Sequence, residues 1–231
     1  MKKIYLLSLS VLLSSAVFVQ DKEPITYGVK VGLTAAVIRN LDEENIPDDR
    51  KSMKSFYVGG LASIPIGPTL LFGGKIYFEP GLFYVGKGTK QAASDSYGFY
   101  SLEQRISYLE IPMNFTSYYQ VGTGKLMFRP GLYIGFALGG TAKLESSGIY
   151  AAQLIADNKP SSFSRDLAFG SNKAYKTADF GMNLGLGYQL KNRFSLNLDL
   201  SFSVIDISGF SPNRQGNVVA GIGLGYTFKA K

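Results

Sequence analysis

Three observations predict an all-β fold, an eight-stranded antiparallel up-and-down transmembrane β-barrel. Along most of the chain, large apolar residues alternate with small or polar ones in runs of about ten. The connections between these runs alternate between long and short. The opening residues have the pattern of a secreted precursor. Composition points the same way, since 27 Gly, 15 Tyr and 16 Phe in 231 residues favour strands and turns over helices.

Residues 1–19 read as a signal peptide, with Lys2 and Lys3 ahead of an uncharged apolar stretch from Ile4 to Val19. That stretch is slightly short for a spanning helix, and no second apolar run of about 20 residues follows, which argues against a helical bundle. Residues 25–231 then form one barrel domain. Without any Cys there is no lipid-anchoring cysteine and no disulfide framework. Two of the seven net positive charges are Lys2 and Lys3, and the remaining cations are scattered without a run of four. Nucleic acid is therefore not an expected partner.

Eight strands are expected at 27–38, 56–66, 75–86, 102–118, 125–139, 180–190, 194–204 and 220–228. The clearest sets Phe180, Met182, Leu184, Leu186, Tyr188 and Leu190 against Gly181, Asn183, Gly185, Gly187 and Gln189. The next repeats the pattern after only Lys191, Asn192 and Arg193, which makes a hairpin with a short turn. A slip of apolar phase between Ile106 and Leu109 suggests a bulge. Pro80, Pro112 and Pro130 fall inside strands, where a lost amide donor marks bulges or strand ends. The links 39–55, 87–101, 140–176 and 206–216 are long and read as exterior loops. The links 67–74, 119–124 and 191–193 are short and read as periplasmic turns, so both termini are periplasmic.

Period two does not by itself say which face is inside. A soluble barrel would show Lys, Glu and Thr to water, whereas the second face here is largely Gly, Ser and Asn. Small polar residues suit a narrow filled lumen, and large Leu, Ile and Phe suit hydrocarbon, so outer-membrane lipid is the expected surround in a Gram-negative bacterium. Tyr27, Tyr118, Tyr119, Tyr188, Tyr226 and Phe228 fall at the periplasmic strand ends and read as an aromatic girdle. Lys30, Glu79, Glu110, Arg129 and Asp199 fall on the lumen face, where buried charges need partners. They read as a structural salt-bridge network or a gated polar path, with the pairing open.

The absence of His and Cys removes every Ser-His, Cys-His and His-assisted mechanism, and the chain reads as no enzyme, with no cofactor. A paired-carboxylate hydrolase is the one enzymatic class left. Asp42, Glu43, Glu44, Asp48 and Asp49 are interleaved with Arg39, Arg50, Lys51 and Lys54 and match no calcium-loop spacing, so no metal is expected. Gly122-Thr123-Gly124-Lys125 lacks the rest of a phosphate loop and reads as a turn. The 140–176 link carries Ile149, Tyr150, Leu154, Ile155, Phe163, Leu167, Phe169 and Tyr175. It is too apolar for a spacer, and either folds over the barrel mouth or contacts an envelope or extracellular protein. The expected function is a non-enzymatic scaffold or interaction protein of the cell envelope that works through its exterior loops. The alternatives are a narrow or gated channel for small solutes, and a soluble ligand-binding barrel.

Several segments, taken in order, carry a resemblance. They are Tyr27-Gly28-Val29-Lys30-Val31-Gly32-Leu33, Phe78-Glu79-Pro80-Gly81-Leu82-Phe83-Tyr84 with Lys87-Gly88, and Tyr108-Leu109-Glu110-Ile111-Pro112-Met113. Arg129-Pro130-Gly131-Leu132-Tyr133-Ile134-Gly135, the run from Phe180 to Tyr188 and the closing Gly221 to Phe228 complete the set. In this respect the chain resembles the PorT-like outer-membrane β-barrel family of Bacteroidota across almost all of its mature length. The resemblance implies an eight-stranded barrel in the outer membrane, within a large family whose members mostly carry no assigned function.

Overall fold

Alternation of large apolar and small residues forces the strands to pair so that one face is continuous and apolar. A computed structural model describes residues 23–41, 50–68, 75–170, 172–209 and 213–229. The signal peptide expected at 1–19 and the acidic residues Asp42, Glu43, Glu44, Asp48 and Asp49 lie outside the described residues. The elements in order are β1 (Thr26–Asn40), β2 (Arg50–Pro68), β3 (Lys75–Asp95), β4 (Gly98–Val121), β5 (Gly124–Ser146), helix α1 (Gly148–Ala156), β6 (Ser162–Asp166), β7 (Ala178–Gln189), β8 (Phe194–Ser203) and β9 (Gln215–Thr227). Strands β1 to β5 pair antiparallel in sequence order, β5 passes to β7, and β9 returns to β1. Eight strands thus close a ring without an edge, and the short β6 adds to β5 above it.

Register carries the apolar face around the wall. Phe56 pairs with Leu33, Leu33 with Ile222, Ile222 with Leu198, Leu198 with Leu186, and Leu186 with Phe128. All six side chains stand exposed on the outside. The wall around them is an apolar belt roughly as tall as the 9–11 residues that a tilted strand needs to cross hydrocarbon. On the inner face the small residues make room for rings. A Cβ at Gly181 would lie 2.4 Å from Tyr133 Cε1, and one at Gly32 2.5 Å from Tyr57 Cε1.

The ring has two unlike ends. At the turn end, Phe228 donates its amide to the Tyr27 carbonyl, and Gly122 takes a φ of 59° to turn β4 into β5. At the loop end, β3, β4 and β5 run on well past the apolar belt. Their outward residues there include charged pairs, Lys90 with Glu103 at 2.7 Å and Lys143 with Glu145 at 2.7 Å, which marks where hydrocarbon stops. The first ten residues of β4 rise about 25 Å at the strand's usual rise and tilt.

Several expectations are corrected. The long loop expected at 87–101 is the upper part of a hairpin, in which Asp95 pairs with Gly98 across a two-residue turn. Residues 140–146 of the 140–176 link are strand, and the link also contains α1 and β6. Pro80, Pro112 and Pro130 mark neither bulges nor strand ends. Each interrupts one ladder for two residues, and the ladder resumes in the same register. The bulge near Ile106 lies on β5 instead, where Leu138 is the extra residue opposite Ser107 and Tyr108. The apolar phase on β4 shifts because the barrel interior itself becomes apolar there. Ile106 and Tyr108 point inward and pack with Ile38, Ala142, Leu167, Tyr175 and Ile207 in a buried cluster.

Candidate functional site

Inward-facing positions of eight strands converge on a narrow axis, and their polar side chains fall into three tiers. Nearest the turn end is Glu79 on β3, fully enclosed by hydroxyls. Ser63 donates to it at 2.6 Å, Thr116 at 2.5 Å and Tyr118 at 2.8 Å. Midway along the barrel, Asp199 of β8 accepts from Lys30 at 3.0 Å, Tyr57 at 3.2 Å and Arg129 at 3.3 Å. Arg129 also donates to Asn197 at 2.8 Å. The Lys30 ammonium lies 5.8 Å from the centre of the Tyr57 ring, a cation–π contact.

The third tier is the most enclosed. Lys87 of β3, its side chain without solvent exposure, ion-pairs with Glu110 at 2.5 Å and Asp179 at 2.9 Å. The rings of Tyr133 and Tyr108 flank its ammonium at 4.4 and 4.9 Å. Asp179 further accepts from Tyr133 at 3.0 Å and from Asn217 at 2.9 Å. One cation thus faces two carboxylates, Asp179 shut off from solvent and Glu110 at the edge of the cavity below, and the set is stable only while all three stay paired.

Of the five lumen charges expected, Lys30, Arg129 and Asp199 come together. Glu110 joins Lys87 in the next tier, and Glu79 meets hydroxyls. Lys87 and Asp179 lie outside the expected set because in the sequence Lys87 opens a link and Asp179 precedes the first apolar residue of its strand. Parity identifies both: Lys87 continues Glu79, Gly81, Phe83 and Val85, and Asp179 continues Gly181, Asn183 and Gly185. Around the middle tier, from Glu79 below to Glu110 above, lies a cavity of about 90 Å³ also edged by Lys30, Arg129 and Asp199, roomy enough for several waters.

Above the third tier, the interior is shut by apolar packing. Leu167 and Tyr175, from the link after β6, and Ile207, from the link after β8, fold inward onto Ile38, Ile106 and Tyr108. Lys176 fastens this plug to Asp206 at 2.7 Å, and the Asp206 carboxylate accepts the amides of Ser208 and Gln215, each at 2.9 Å. Partial burial pushes the Asp206 carboxyl up, but the bonds from Lys176, Gln215 and Ser208 outweigh it and hold it below the ordinary aspartate value. A lowered value means the latch contributes fully above about pH 4 and is lost as pH falls through the folded value. Pepsin digestion between pH 4.5 and 2.5 is expected to open the 167–176 segment only at the acid end in the parent chain, and already at pH 4.5 in Asp206→Asn. Identical cleavage of both proteins would remove the latch.

The girdle needs one correction. Tyr27 stands outside and exposed, Tyr226 packs tilted against Phe194 at 4.9 Å and edge-on against Phe228 at 5.4 Å, and Tyr119 and Tyr188 fall on the outer face by alternation. Tyr118 points inward to Glu79, because its even position on β4 shares the face of Tyr108 and Glu110. Phe78 and Phe115, 5.5 Å apart, add to the outer belt at the same end.

No curated protein matches the sequence. Among solved structures the chain is similar to Ail, the attachment invasion locus protein of Yersinia pestis. The crystal structure of Ail in complex with the heparin analogue sucrose octasulfate shares 13% identity at a TM-score of 0.46, covering 89% of this chain and 100% of that one. A further crystal structure of Ail shares 11% at 0.45, and Neisserial surface protein A shares 10% at 0.40, with the same coverage. Likenesses this distant say nothing of what the chain binds. Residues 18–209, most of the chain, match the family described as outer membrane protein beta-barrel domain, and the chain belongs to that family.

Proposed function

We propose that the chain is a non-enzymatic scaffold of the cell envelope that holds an interaction surface clear of the outer membrane at its loop end. The observation that carries this is the surface itself. Helix α1 has no charged residue and buries none of its side chains, and its Ile149 and Ile155 stand exposed, as do Tyr97 of the β3–β4 turn and Phe99 at the start of β4. These are the parts farthest from the apolar belt, so hydrocarbon does not explain their exposure, and such a patch is characteristic of a protein contact. The patch is held rigidly. Tyr150 donates to Asp95 at 2.8 Å, and Ile149 donates its amide to the Tyr97 carbonyl at 3.0 Å.

An even strand count puts both termini at the turn end, and that end is proposed to face the periplasm. The ordered motifs from Tyr27 to Phe228 support a place in the PorT-like branch of Bacteroidota barrels. The lack of His and Cys supports a non-enzymatic role. A narrow channel is the second reading, favoured by the charged cavity below the plug, but three tiers of paired side chains and the plug lie across its path.

Proximity labelling from outer membranes tests the scaffold reading. The full 140–176 link is the wrong segment to delete, because it includes part of β5 and the plug. A chain with 148–156 replaced by a short Gly-Ser linker is expected to insert normally and lose its labelled neighbours. An unchanged set of neighbours would contradict the assignment.

A further inference from the structure

The turn end opens on a vestibule of about 720 Å³ whose lining includes four cations, Lys125, Lys191, Arg193 and Lys229, and a single acid, Glu23. None of the four cations forms an ion pair among the described residues. The Lys125 ammonium lies 5.9 Å from the centre of the inward-turned Tyr118 ring, which places that charge over the mouth rather than out toward lipid. One corner is already filled by the chain itself. Glu23 ion-pairs with Lys75, and Tyr77 donates its hydroxyl to the same carboxylate at 2.5 Å. Hydrogen bonds from Lys75 and then Tyr77 hold the Glu23 carboxyl below its ordinary value.

Among the described residues this mouth seats one carboxylate, felt by Lys125 only at a distance, and leaves four cations without an ion pair, so its field is strongly positive. We propose that this vestibule binds a short, extended acidic peptide segment of a partner protein, whose carboxylates take places among Lys125, Lys191, Arg193 and Lys229 as Glu23 does between Lys75 and Tyr77. The inner wall of the seat is formed by Tyr77, Tyr118 and Gln189 on the lumen face, and Lys191 and Arg193 overhang it from the β7–β8 turn, whereas lipid headgroups surround the outside of the belt. The vestibule is at the opposite end of the barrel from α1, and the proposal stands whether or not the loop end contacts a partner.

The test uses the full chain refolded into phosphatidylcholine nanodiscs and a fluorescein-labelled hexaglutamate peptide, followed by anisotropy. Binding at low salt is expected to weaken steeply toward 0.15 M, as exposed charge contacts do. The variant K125Q/K191Q/R193Q/K229Q is expected to bind at least tenfold more weakly. The variant K90Q/R105Q/K143Q/R165Q, which removes the same charge at the loop end, is expected to bind like the parent. Glu23→Gln, which vacates the occupied corner, is expected to tighten binding on the order of threefold. Equal weakening in both quadruple variants would reduce the effect to net charge and overturn the site, as would no binding by the parent. Displacement of the peptide when a third of the lipid is phosphatidylglycerol would assign the cations to headgroups and overturn it as well. Heat-dependent gel mobility checks that each variant is folded.

Discussion

Lys87→Met is expected to destabilise the barrel by about 3–5 kcal/mol, the range found when one partner is removed from a buried ion pair. The Lys87 and Asp179 side chains are without solvent exposure, and among the described residues Lys87 supplies the one cation that pairs with Glu110 and Asp179, at 2.5 and 2.9 Å. Its loss strands two carboxylates between the apolar plug and the middle tier. Urea unfolding in lipid vesicles, followed by far-UV circular dichroism, measures the cost. The triple variant K87M/E110Q/D179N removes the stranded charge and should recover most of the loss. A cost below about 1 kcal/mol for the single variant is the value expected of an exposed pair and would contradict the enclosure.

Leu198→Arg is expected to cost about 2–4 kcal/mol, as an arginine does on the lipid face near mid-bilayer. Leu198 sits midway along β8 between Leu186 and Ile222, exposed on the outside of the wall. Ile155 of α1 is exposed to a similar degree, yet Ile155→Arg is expected to leave stability unchanged, because that residue faces water. Exposure alone does not separate the two; distance from the apolar belt does. The same urea titration in vesicles compares them, and equal costs would mean that the belt or the loop end is misplaced.

The sequence made the barrel legible wherever two different solvents met its two faces. Between hydrocarbon and a filled lumen, strict alternation is obligatory, so β7, β8 and the later part of β9 were read within a residue or two. Beyond the belt, the outer face meets water and the inner face meets the plug. Lys87, Lys90, Glu103 and Arg105 break the alternation there, so the upper part of the β3–β4 hairpin reads as a loop in the sequence although pairing runs unbroken to Asp95 and Gly98. The prolines misled for a related reason. A missing amide weakens one ladder, but in a closed ring the neighbouring ladders hold the register, so no bulge forms at Pro80, Pro112 or Pro130.

The interior charges were legible as inward-facing residues but not as pairs. Partners such as Lys30 and Asp199 stand 169 positions apart and meet only through ring closure between β1, β9 and β8. Lys87 and Asp179 could have been found by extending strand parity one step beyond the apolar runs. The plug was half visible in the apolar 140–176 link, whereas Ile207 gave no periodic signal and gains its role only from where the β8–β9 link folds.

Conductance of the purified chain in planar bilayers tests the closed scaffold most directly. Three tiers of paired side chains and an apolar plug predict a silent bilayer across the physiological voltage range. Stable single-channel openings that disappear in Arg129→Gln or Glu79→Gln would contradict it and make the charged cavity part of a conducting path.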